Sequence, residues 1–78
     1  MKTSKRIRRF VDEQLLDFQF DGDPLADGML DSLAIEQLIG FVEDTFDITL
    51  DDEELIAENF ASIEAVATLV DGKRLART

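Results

Sequence analysis

The chain has no histidine and no cysteine among its 78 residues, a single proline, and no lysine or arginine anywhere between Phe10 and Gly72. Without histidine there is no Ser-His-Asp catalytic site, and the only lysines, Lys2, Lys5 and Lys73, lie near the two termini, remote in sequence from any central serine. Without cysteine there are neither disulfides nor thiolate metal ligands, so metals could be met only by hard oxygen ligands. No apolar run approaches the length of a membrane span, and the N-terminus lacks the apolar stretch of a secretory signal. These absences predict one small domain over residues 1–78, cytoplasmic, with no membrane span, monomeric, and held together by packing alone.

What is present is unevenly distributed. The net charge is -10, yet all eight Lys and Arg fall in residues 2–9 or 73–77, while eighteen Asp and Glu occupy the stretch between. Such a body repels nucleic acid and steers a basic partner toward itself at long range, which points to a docking surface. The basic start, residues 1–9, runs straight into Asp12 and Glu13, which favours a helix over a transit peptide.

Hydrophobic periodicity predicts an all-α fold. Ile7, Phe10, Val11, Leu15 and Phe18 recur at helical spacing after the capping candidates Thr3 and Ser4, giving a first helix over about residues 4–17. Its cations sit at the end where the helix dipole disfavours them, so they serve a neighbour or pair with the acidic body. From Asp21 to Leu30 two glycines, the proline and three aspartates read as a long loop ordered by Leu25, Met29 and Leu30. Ile35, Leu38, Ile39, Val42 and Phe46 then define an amphipathic helix over residues 32–46, N-capped by Asp31 or Ser32, with Phe41 expected to be partly buried.

Ile48 and Leu50 alternate over too few positions to define a strand. Leu55, Ile56 and Phe60 are expected to anchor one short helical turn to the core. Ser62 caps a final helix whose Ile63, Val66, Leu69 and Val70 face inward, with Ala65 and Ala67 allowing close approach, Gly72 ending it, and residues 73–78 frayed. The whole predicts a small four-helix bundle, three longer helices and one short one, with a long first loop.

Ser32 stands out against this background. Lacking an obvious local base, it is poorly equipped to act as a nucleophile, and intrinsic catalysis is not expected. A phosphate on a side chain at a helix N-terminus, however, meets unpaired backbone N–H groups and the positive end of the helix dipole. Calcium does not suit the preceding loop. Aligned from Asp21 as an EF-hand, it offers Asp23 at the third position but Leu25, Ala26 and Ser32 where an oxygen ligand, glycine and glutamate are required.

With Ser32 so placed, nearly the whole chain resembles the acyl carrier and peptidyl carrier protein family. The likeness is strongest in Gly28-Met29-Leu30-Asp31-Ser32-Leu33, then in Val42-Glu43-Asp44-Thr45-Phe46-Asp47-Ile48 and Glu58-Asn59-Phe60-Ala61-Ser62-Ile63. The resemblance implies that Ser32 is esterified by 4'-phosphopantetheine, transferred from coenzyme A by a separate phosphopantetheinyl transferase. The arm's thiol would then carry a cargo as a thioester in a protein without cysteine. It further implies partner docking through Asp31, Leu33, Glu36, Gln37, Gly40, Glu43 and Asp44, and an acyl cavity lined by Leu38, Val42, Phe46 and Ile63.

Ala34, Gln37 and Gly40 depart from the fatty-acid branch of that family, and the short Gly-Met-Leu-Asp-Ser-Leu loop looks more like stand-alone carriers, including the D-alanyl carrier type. An amino acid or short acyl group is therefore favoured over a long fatty acyl. The implied partners are a cargo-loading ligase or adenylating enzyme and downstream acyl-transfer enzymes. The alternative is an unmodified small acidic helical adaptor that binds basic proteins.

Overall fold

A computed structural model describes residues 2–76, and among them every regular element is helical. The helices α1 (Thr3–Phe10), α2 (Ser32–Phe46) and α3 (Ile63–Ala76) are joined by a long loop and by two short 3₁₀ turns, Asp52–Glu54 and Ala57–Phe60. No helix among the described residues is long and apolar enough to cross a membrane.

The apolar periodicity of each segment builds one core. Ile7 and Val11 come from the first segment, Leu38, Val42 and Phe46 from α2, and Ile63, Val66, Ala67 and Val70 from α3. Ile48 and Leu50, which form no strand, complete it from the link after α2. α1 packs most extensively on α3, and both also touch α2. Full burial of a residue such as Leu38 or Val42 stabilises by about 1.5–3 kcal/mol each relative to exposure. Phe41 is half-buried as expected, its ring stacked on Phe10 at a centroid distance of 4.1 Å.

Local expectations at the ends of α1, in the link between α2 and α3 and at the end of α3 are corrected. The first helix is regular only to Phe10 and continues as a π-helical turn, Val11–Leu15, closed by the Leu16 N–H on the Val11 carbonyl at 3.1 Å. Leu15 and Leu16, on either side of the end of this turn, are both partly buried against the core. The backbone is extended at Leu16, and Phe18, expected on the buried face, is 54% exposed. At the other end of α1 neither Thr3 nor Ser4 is the cap. Lys2 holds that position without a side-chain bond, and the Thr3 hydroxyl donates instead to Asp71 of α3 at 2.7 Å.

Leu55 and Ile56 do not anchor the link between α2 and α3, being 41% and 44% exposed. Of the three expected anchors only Phe60 packs against the core, and the Asn59 amide donates to the Glu54 carbonyl at 2.8 Å, tying the two short turns together. Gly72 does not end α3, because it stays out of the left-handed region where a glycine stop forms, and the helix runs on to Ala76. Residues 73–76 are accordingly helical rather than frayed, with Lys73 tied to the body, while the rest of that tail lies outside the described residues.

Candidate functional site

The loop leading to Ser32 is organised by one aspartate. Asp23 Oδ1 accepts the N–H groups of Leu25 and Ala26, both at 3.0 Å, closing a turn typical of Asp before Pro. Its other oxygen accepts the N–H of Ile63 at 3.0 Å, so the same carboxylate caps the first turn of α3 across forty positions of sequence. Pro24 is fully buried beneath this turn. The Met29 N–H reaches back to the Pro24 carbonyl at 2.8 Å, and Gly28 adopts φ 69°, a left-handed conformation that a side chain would strain. The loop is thereby fastened to the start of α3 immediately before the chain enters α2.

At that entry Asp31 is the N-cap, its Oδ1 accepting the Ala34 N–H at 2.9 Å. This resolves the choice between Asp31 and Ser32: Ser32 is the first helical residue, exposed, and its hydroxyl has no hydrogen-bond partner among the described residues. The N–H groups of Ser32 and Leu33 likewise have no protein acceptor among the described residues, as expected for the first turn of a helix. Leu33 follows at 62% exposure, and Met29 is also exposed. Nearby, Leu25, Leu30, Ile35, Leu55, Ile56 and Phe60 line an open apolar groove of about 340 Å³. Leu55 and Ile56, displaced from the core, are walls of this groove, and Leu30 and Ile35 flank Ser32 in sequence.

Along the solvent face of α2, Leu33, Glu36, Gln37 and Asp44 are exposed and Gly40 is half-buried, a stripe at helical spacing from the Ser32 turn to the far end. Nothing lies within 4 Å of where a Cβ on Gly40 would stand, so this position is a shallow opening in the stripe. Glu43 is set apart from the other predicted docking acids. It is half-buried, and its Oε2 accepts the Leu50 N–H at 2.9 Å, bracing the link after the left-handed C-cap Asp47. Leu38, Val42, Phe46 and Ile63, expected to line an acyl cavity, are all buried in the packed core and line no part of the groove.

One ion-pair cluster fastens the link to α3. Lys73 Nζ lies 2.7 Å from Glu54 Oε1 and 3.7 Å from Asp51 Oδ2. The hydrogen bond from Lys73, seconded by the Asp51 N–H, holds the Glu54 carboxyl below the usual carboxylate range, and the same bond raises Lys73 above its ordinary value. This cluster ties the 3₁₀ turn before Leu55 to the last turn of α3.

The residues at the head of α2 fit a phosphoester on Ser32. The hydroxyl is accessible, the Asp31 carboxylate is occupied with Ala34, and the N–H groups of Ser32 and Leu33 are available to phosphate oxygens. Asp23 and the groove walls Leu55 and Ile56 escape a reading of the sequence alone; only the Asp23-Pro24 dipeptide hints at the turn. The chain matches no protein-family model and no curated protein sequence.

Proposed function

We propose that the protein is a stand-alone acyl or aminoacyl carrier, with 4'-phosphopantetheine esterified to Ser32. The observation that carries this reading is the Ser32 turn: an exposed serine as the first residue of α2, its cap supplied by the preceding aspartate, beside an open apolar groove. Within this reading the short 3₁₀ turns between α2 and α3 stand for the short helix of a four-helix carrier. The protein acts in the cytoplasm as a non-catalytic monomer.

The exposed stripe Leu33, Glu36, Gln37, Gly40 and Asp44 meets basic patches on the phosphopantetheinyl transferase, on a cargo-loading ligase and on downstream acyl-transfer enzymes. Asp31 borders it, and Glu43 contributes its charge while bracing Leu50. Exposed charges of this kind govern encounter rate and specificity more than residence time, which suits a shuttle that must leave each enzyme. The packed core and the short, open groove favour an amino acid or short acyl cargo over a long fatty acyl.

The test is covalent. On incubation with coenzyme A, magnesium and a broad-specificity phosphopantetheinyl transferase, intact-mass spectrometry of the wild type shows the gain of a phosphopantetheine and Ser32→Ala shows none. Because the Ser32 hydroxyl bonds to nothing among the described residues, the variant folds normally by circular dichroism. An unchanged wild-type mass, or equal modification of the variant, removes the assignment.

A further inference from the structure

The basic residues at the two ends of the sequence converge on one region. Thr3 bonds to Asp71, so the start of α1 lies along the last turns of α3. The guanidinium groups of Arg6 and Arg74 both sit over the Phe46 ring, at 4.9 and 5.5 Å from its centroid. Phe46 is the last residue of α2, about 21 Å from Ser32 at the rise of an α-helix. Arg6 and Arg74, from opposite ends of the sequence, therefore meet at the end of α2 opposite the candidate site.

On α1 these cations are ordered. Lys2, Lys5, Arg6 and Arg9 recur at i, i+3, i+4 and i+7, one face of two helical turns, and Lys2, Lys5, Arg6 and Arg9 are all exposed. Some basic residues are satisfied within the molecule: Arg8 by Asp12, Arg9 by Glu13, Lys73 by Glu54. Lys2, Lys5, Arg6 and Arg74 form no ion pair with any described residue, in a protein of net charge -10. The placement also opposes the helix dipole, with no acid in the first turn of α1 to offset it. The two guanidinium groups each gain a cation–π contact with this ring while repelling one another as like charges. Of the four cations on the α1 stripe only Arg9 has a carboxylate partner among the described residues, Glu13.

Beside the stripe an open cleft of about 460 Å³ is lined by Arg6, Arg9, Phe10, Glu13, Gln14, Phe41 and Thr45, with the Phe10–Phe41 stack as its apolar wall and its one acid, Glu13, held by Arg9. We propose that this face is a second docking surface, for a short acidic segment of another protein that places carboxylates on Lys2, Lys5, Arg6 and Arg74 and an apolar side chain against Phe10 and Phe41. The footprint selects this class. The stripe is only about 10 Å long, and Asp12, Glu13 and Asp17 follow directly, so a bilayer or a nucleic-acid duplex extending past it meets the acidic body within a Debye length of about 8 Å at physiological salt. A partner held here leaves the Ser32 end free, and the surface does not depend on what Ser32 carries.

The test uses a labelled synthetic peptide of alternating Glu pairs and Leu, followed by fluorescence anisotropy, with a Gln-for-Glu peptide as control. The Glu peptide binds wild type and Ser32→Ala alike, weakens with added salt, and loses at least about tenfold in affinity against Lys2→Glu/Lys5→Glu; the Gln peptide does not bind. Neither lysine makes a contact that this change removes, and acids at a helix start are favourable, so the double variant keeps or raises its Tm while losing the peptide. Absence of peptide binding overturns the proposal, as does binding indifferent to Lys2→Glu/Lys5→Glu. So does binding confined to phosphatidylserine vesicles, or a lysine-dependent doubling of mass in light scattering without peptide binding, which assigns the face to lipid or to a second copy. Loss of phosphopantetheine transfer in the Proposed function assay leaves this result untouched.

Discussion

The two ends of α2 obey local physics differently. At the Ser32 end the capping aspartate, the glycine with left-handed backbone and the doubly bonded Asp23 all agree with the structure around them. At the Phe46 end, cations crowd the start of α1 against the helix dipole, while Lys73 and Arg74 in the last turn of α3 sit where that dipole favours them. The difference teaches where to look for function. On the proposed reading, the modification site coincides with a well-formed helix start and the docking surface with charge left unbalanced.

The largest change to this contrast comes from Asp23→Ala. It removes one acceptor that serves three backbone N–H groups, two in the loop and one at the head of α3, and is expected to cost about 1–3 kcal/mol. The effect is polar: hydrogen exchange accelerates in the loop before Ser32 and at Ile63, while Ile7, Val66 and Val70 keep their relative protection. Uniform acceleration across the domain would show that the two ends are one cooperative unit.

A smaller effect separates the ends by pH. The folded-state pKa of Glu54 is lowered, so its contribution is present above the ordinary glutamate value of about 4.3 and is lost as pH falls through the lower folded value. Lys73 has the opposite sign, with a contribution present below its ordinary value and lost as pH rises through the raised folded one. Glu54→Gln is therefore expected to lower Tm at neutral pH and to flatten the wild type's loss of Tm below about pH 4.3. An unchanged acid slope in the variant assigns acid sensitivity to other carboxylates. The smallest effect is a gradual rise in Tm from low salt to about 0.15 M, as the acidic body is screened; a flat Tm would mean that the eighteen acids scarcely repel one another in the fold.

Much of this was legible in residues alone because the signals were local. The bounds of α2, the cap by Asp31 or Ser32, the cap by Ser62 and the inward residues of α3 follow from spacing and side-chain chemistry within one or two turns. The end of the first helix was not legible in the same way. A run of apolar residues at helical spacing does not reveal that the backbone widens into a π turn over Val11–Leu15 and becomes extended at Leu16, with Phe18 left exposed beyond it. Leu55 and Ile56 carried the composition of core residues but became groove walls together with Phe60. Gly72 was read as a stop because glycine permits one, yet permission is not compulsion, and the Lys73 ion pairs hold the following turn against the body.

By itself the sequence determined the helical character of the chain, its charge segregation and the exposed serine at a helix start, since periodicity, composition and capping act over a few residues. Tertiary structure alone decided that Asp23 serves both the loop and α3, that an apolar groove lies near Ser32, and that cations from opposite ends of the chain meet over Phe46. Each joins positions far apart in sequence, and only the packing of α1 on α3 around a shared core fixes such distances.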